Sequence, residues 1–102
     1  MNKIIQNKQK DIEQLCIKFH VKKLEVFGSV TRTGFDPVSS DIDFLVEFDP
    51  KGISKYADNY FGLHDALQDL FKIPVELVVS STIKNPYFLE NIESERTFLY
   101  AA

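Results

Sequence analysis

Asp41-Ile42-Asp43-Phe44-Leu45-Val46-Glu47-Phe48 repeats with a period of two, the pattern of a β-strand with unlike faces. Ile42, Phe44, Val46 and Phe48 fall on one face, and Asp41, Asp43, Leu45 and Glu47 on the other. Downstream, Asp49-Pro50-Lys51-Gly52 is a turn signal, and Ser54 is a plausible N-cap for a following helix. Tyr56, Tyr60, Leu63, Leu67, Leu70 and Phe71 form that helix's apolar stripe. Pro74 closes the helix and pushes Ile73 into an extended conformation. Val75 to Val79 then reads as a second, mostly apolar strand interrupted by Glu76.

Upstream, Ile5, Ile12, Leu15, Cys16 and Phe19 lie on one stripe of an opening helix that ends near His20. Leu24-Glu25-Val26-Phe27 is a short strand stopped by Gly28, and the chain from Ser29 to Ser40 has loop composition. Asn85-Pro86 resembles a helix start, with the helix running to about Arg96; Thr97-Phe98-Leu99-Tyr100 has strand character. The order of elements predicts an α/β (α+β) fold, a small mixed β-sheet with helices packed on it.

At 102 residues the chain has room for one core and not two, so a single domain over 1–102 is expected. A net charge of -3 argues against duplex nucleic acid as a partner, since phosphate neutralisation calls for a basic face. The lone Cys16 excludes an intramolecular disulfide and fits a reducing cytoplasm. Met1 to Gln6 turns polar too early for a signal peptide, and no apolar run approaches a membrane span. Nine Phe and four Tyr are enough to fill a core and to leave an apolar face for a partner.

The chemistry concentrates between Gly28 and Asp43. Asp41 and Asp43, two apart on a strand, share a face and repel unless a cation lies between them. Magnesium takes such carboxylate oxygens together with substrate phosphates. Gly28 permits close backbone approach, Ser29 offers a hydroxyl beside exposed N–H groups, and Arg32 can reach the same phosphates. Alternation turns Glu76 away from Val75 and Leu77, toward the Asp41 and Asp43 face. Each feature alone also fits a bland alternative: surface acids, an ordinary turn, a solvated arginine, a charge on a half-wet strand. Glu47 reads as a rim charge, His64 as structural or solvated, Lys18, Lys22 and Lys23 as a solvated face, and Tyr56 and Tyr60 as packing. Two histidines and one cysteine give a zinc site little support.

Taken in order, Gly28-Ser29-Val30-Thr31-Arg32-Thr33-Gly34 and Ser39-Ser40-Asp41-Ile42-Asp43 resemble the minimal nucleotidyltransferases of the DNA polymerase β superfamily. Leu63 to Val78 and Ile92 to Arg96 resemble that family's later elements, so the likeness spans nearly the whole chain. The resemblance implies a polymerase β-like nucleotidyltransferase fold, with Gly28, Ser29 and Arg32 binding nucleotide phosphates. It implies Asp41, Asp43 and Glu76 as catalytic and metal-binding residues holding Mg²⁺, with two ions expected. Two positions depart from the family pattern: Glu76 stands where aspartate is usual, and Thr33 separates Arg32 from Gly34.

Chains of this size are similar to antitoxins paired with HEPN ribonuclease toxins. That likeness implies transfer of AMP from ATP to a tyrosine hydroxyl of a HEPN-type toxin in the cytoplasm. The acceptor must come from a partner, because larger relatives carry it on extra domains for which this chain has no room. The second reading is a non-catalytic binding antitoxin or adaptor that retains the fold, and Glu76 is the feature that favours it. Retention of the Asp41 and Asp43 pair argues for the enzyme, since a pure binder gains nothing from adjacent carboxylates.

Overall fold

The computed structural model describes residues 3–28, 41–80 and 96–102. The expected loop from Ser29 to Ser40 and the expected helix from Asn85 fall outside these residues, apart from Arg96.

Helices α1 (Lys3–Gln6) and α2 (Gln9–Lys18) open the chain where one continuous helix was expected. The helix breaks at Asn7 and Lys8, where the Lys8 amide bonds to Ile5 O at 3.1 Å, three residues back instead of four. The apolar stripe survives the break, since Ile5, Ile12 and Cys16 are all fully buried. His20 turns the chain at φ 58° into β1 (Val21–Phe27), which begins three residues earlier than expected.

Strand β2 (Ile42–Phe48) leads into a 3₁₀ helix over Pro50–Lys55 and then α3 (Tyr56–Phe71). Ser54 is not the N-cap of α3. The cap residue is Lys55, with no side-chain bond. Asp49 does the capping instead, accepting from the Lys51 amide at 2.9 Å ahead of Pro50. The 3₁₀ turn supplies Ile53 O to the Tyr56 amide, so the helix is fed by helical backbone and needs no side-chain cap of its own. Lys72 ends α3 in the left-handed conformation at φ 57°, ahead of Pro74.

Strands β3 (Val75–Val79) and β4 (Thr97–Ala101) complete a sheet ordered β3-β2-β1-β4 among the described residues. β1 runs antiparallel to both β2 and β4, whereas β2 and β3 are parallel. A parallel pair needs a crossover, which the 3₁₀ turn and α3 provide. The register sets Phe27 beside Asp43 and Asp43 beside Glu76.

The main core lies between one sheet face and the helices. Leu24, Val26, Ile42, Phe44, Val46 and Leu77 meet Ile12, Cys16, Leu63, Leu67 and Phe71. Phe27 and Leu45 are buried on the opposite face, with Val78 against them. Burial pushes the Cys16 thiol up to about 12, which keeps it an inert core residue. Three side chains one helical turn apart on α3 serve the backbone of β3. Tyr60 Oη donates to Leu77 O at 2.7 Å, His64 Nε2 lies 2.9 Å from Val75 O, and Gln68 Oε1 accepts from the Val75 amide at 3.2 Å. β3, an edge strand among the described residues, is thereby tied to its own crossover helix. No described helix is long and apolar enough to cross a membrane.

Leu67 is fully buried, so Leu67→Ala should lower stability by about 2–5 kcal/mol in urea unfolding. Ile17 is 67% exposed, and Ile17→Ala should change stability by no more than about 0.5 kcal/mol.

Candidate functional site

The parallel pairing of β2 with β3 decides which polar groups meet. Asp43 and Glu76 are register partners, so their side chains leave the same face of neighbouring strands, about 4.8 Å apart along the ladder. Asp43 is half-buried while Asp41, just ahead of β2, and Glu76 are exposed. Asp43 lies beside Phe27 on its other flank, and its carboxylate occupies the space that a side chain on the following glycine would fill. Gly28 has φ +78°, and a methyl group there would sit 2.5 Å from Asp43 Oδ2.

This crowding changes the acid. Burial, then a hydrogen bond with Glu76, then the charges of Glu76 and Asp41 push the Asp43 carboxyl up to about 6. All of these influences favour the neutral acid over the carboxylate at Asp43. Glu25 makes the contrast. It is a buried carboxylate two residues before Phe27 on the same face, but Lys23 Nζ lies 3.4 Å and Arg96 Nε 3.3 Å from it. One buried acid is neutralised by protein cations, while Asp43 meets other acids. A hard divalent cation with carboxylate preference fits the Asp43 environment, and its arrival would return the proton to solvent.

The three carboxylates do not form a closed cage. Among the described residues no group of three or more acidic, imidazole or thiolate side chains is arranged to hold a metal unaided. Such an open donor set fits magnesium, which binds through one or two carboxylates and completes its shell with water and substrate phosphate. Gly28 borders the cluster, since the space for its missing side chain is taken by Asp43, whereas Ser29 and Arg32 lie outside the described residues.

The remaining candidates are accounted for. Glu47 is a rim charge 3.9 Å from Lys22. His64 is structural, held between Val75 O and Asp65 Oδ1. Lys18 lies over the Phe19 ring and Lys23 pairs with Glu25, so the small basic cluster is dispersed among separate partners. Tyr60 packs against the core, but Tyr56 is 40% exposed with its ring edge-on to Phe48. The Glu25 pairing was not foreseen in the sequence. Its only signal is the alternation of Lys23, Glu25 and Phe27, while Arg96 is 71 residues away. The spare apolar surface lies beside α3, where a groove of about 460 Å³ runs between Tyr56, Tyr60 and Phe61 and strand β3. None of the three carboxylates lines it.

Proteins similar in sequence and fold bear on its chemistry. A family model described as a nucleotidyltransferase domain matches residues 8–99. A Methanocaldococcus jannaschii protein, named provisionally as a protein adenylyltransferase, is 39% identical over 84 residues, which make up 80% of each chain. A solved structure described provisionally as a minimal nucleotidyltransferase superposes with a TM-score of 0.75 at 26% identity, covering 95% of both chains. The fold also matches a chain in the complex of tri-AMPylated Shewanella oneidensis HEPN toxin with MNT antitoxin. There the TM-score is 0.62 at 16% identity, over 95% of this chain and 72% of that one.

The raised Asp43 carboxyl sets a sign for stability against pH. The folded state keeps a proton that the unfolded chain releases, so this contribution is complete below 3.8 and is lost as pH rises through about 6. In cation-free buffer, wild-type unfolding free energy should therefore fall relative to Asp43→Asn across this window. Parallel pH profiles for the two proteins in urea titrations would contradict the arrangement.

Proposed function

The chain belongs to the nucleotidyltransferase domain family, and from that premise we propose that it is a magnesium-dependent protein adenylyltransferase. In this reading residues 1–102 act as one catalytic domain, and the protein is an antitoxin. It transfers AMP from ATP to a tyrosine hydroxyl of a HEPN-type ribonuclease toxin in the cytoplasm. The observation that carries the reading is the Asp43 and Glu76 pair, two carboxylates pressed together with Asp41 nearby and, among the described residues, no cation acting on Asp43. The 39% identical relative named as a protein adenylyltransferase supports a protein acceptor, and the fold shared with the AMPylated toxin complex supports the class of partner.

In the proposed mechanism Asp41, Asp43 and Glu76 would hold Mg²⁺, while Gly28, Ser29 and Arg32 would hold the nucleotide phosphates. Bound magnesium supplies Lewis acidity, lowering the pKa of the acceptor hydroxyl and stabilising charge on the departing pyrophosphate. Asp43 must give up its proton to enter this state, and neighbouring Asp41 supplies the second negative group on its strand. The acceptor oxygen attacks the α-phosphorus in line, its proton passes to the Glu76 carboxylate, and the bond to pyrophosphate breaks. Glutamate is one methylene longer than the aspartate usual in the family. Its hydrogen bond with Asp43 supports sufficient reach across the strand pair.

Incubation with ATP, Mg²⁺ and the cognate HEPN toxin, followed by intact mass measurement, tests the reading. The toxin should gain the mass of AMP, and Asp43→Asn should slow the gain by roughly 10²–10⁴-fold. Toxin neutralisation that persists unchanged in Asp41→Asn/Asp43→Asn, with no mass gain in wild type, would make the protein a binding antitoxin instead.

A further inference from the structure

Gly28 ends β1 beside the register pair Phe27 and Asp43, and the space its missing side chain leaves is filled. A Cβ built there would lie 2.5 Å from Asp43 Oδ2, 3.4 Å from Cγ and 3.7 Å from Cβ. The first distance is far below the contact distance of carbon and oxygen, so the carboxylate could not keep its place. Among the described residues, the three nearest atoms all belong to one side chain, the half-buried acid that faces Glu76. The other described glycines are crowded elsewhere, Gly52 by His20 and Asn59 and Gly62 by the Phe19 ring. Close approach of backbone to ligand is the usual reason for a glycine at a phosphate site. Here the close approach already present is to the protein's own carboxylate.

We propose that Gly28 is a positioning residue: its lack of a side chain admits the Asp43 carboxylate to the place from which it faces Glu76 and a divalent cation. The proposal rests on the reading of Asp43 as a metal-binding residue and adds a task for Gly28 that is separate from holding phosphate. A Cβ at 28 turns the carboxylate away, and cation affinity falls even when no nucleotide is present. A glycine that serves phosphate alone would affect nucleotide binding and leave the bare cation untouched.

A double-mutant cycle read by thermal unfolding isolates the steric contact. Alanine at φ +78° strains the backbone whatever lies nearby, but that strain is common to both backgrounds and cancels. Gly28→Ala should lower Tm by roughly 5 °C more in the wild-type background than in Asp43→Ala, where the carboxylate is gone. Asp43→Asn keeps the volume and should behave like wild type. Should Gly28→Ala alone fail to fold, recovery of folding on adding Asp43→Ala reports the same clash. Equal Tm losses in all backgrounds, or no recovery, would overturn the proposal.

Nucleotide-free Mn²⁺ binding by electron paramagnetic resonance supplies the second readout. Gly28→Ala should weaken Mn²⁺ binding roughly 10–100-fold, as expected when a metal ligand loses its support. Unchanged Mn²⁺ affinity beside weakened ATP binding would overturn the positioning role. Wild-type protein that binds no Mn²⁺ would overturn the metal reading of the site, while the unfolding cycle still decides the steric contact.

Discussion

In the β2–β3 pair, Asp43 and Glu76 stand at the same height on adjacent parallel strands, and the rest of the site follows from that register. Two carboxylates so placed cannot both ionise comfortably without a counter-charge, and Asp43 responds by holding its proton up to about 6. The sheet enforces the contact through backbone pairing from Ile42–Val75 to Val46–Val79. The buried set of Ile42, Phe44, Val46 and Leu77 on the far face prevents a slip, because one residue of slippage would send these side chains to the wrong side. Core packing thus maintains an electrostatic conflict on the opposite face.

Two acids on one face have opposite fates. Glu25 is neutralised within the protein by Lys23 and Arg96, an ion pair that ties the start of β4 to β1. Asp43 has Glu76 and Asp41 for company. The first arrangement is structural, and the second leaves the place that the proposed Mg²⁺ would fill. The crossover helix contributes as well. Tyr60, His64 and Gln68 bond to the backbone of Val75 and Leu77, the two residues that flank Glu76. Helix α3 therefore both buries the core and holds the strand that carries the second carboxylate.

Legibility in the sequence followed the range of the interactions. The alternation of Asp41 to Phe48 gave β2 and its faces correctly, and the run from Val75 to Val79 gave β3 with Glu76 turned outward, because side-chain period is a local property. The apolar stripe of α3 was legible for the same reason, as was the short terminal strand. What escaped depends on contacts distant in sequence or on competing backbone choices. Asp49 caps ahead of Ser54 because a 3₁₀ turn precedes α3, and α1 separates from α2 without a proline or glycine to mark the break. The Glu25 ion pairs and the fit of Gly28 against Asp43 needed the assembled sheet. The family resemblance carried the motif Gly28-Ser29 to Asp43 further than periodicity alone could.

The carboxylate pair itself is open to direct observation. Carbon-13 NMR of the Asp43 carboxyl, titrated with and without Mg²⁺, reads its proton at its own atom. The account predicts that Asp43 titrates near pH 6 in cation-free solution, and that Mg²⁺ drives its midpoint well down. An Asp43 midpoint at the ordinary aspartate value of about 3.9, unmoved by Mg²⁺, would contradict it.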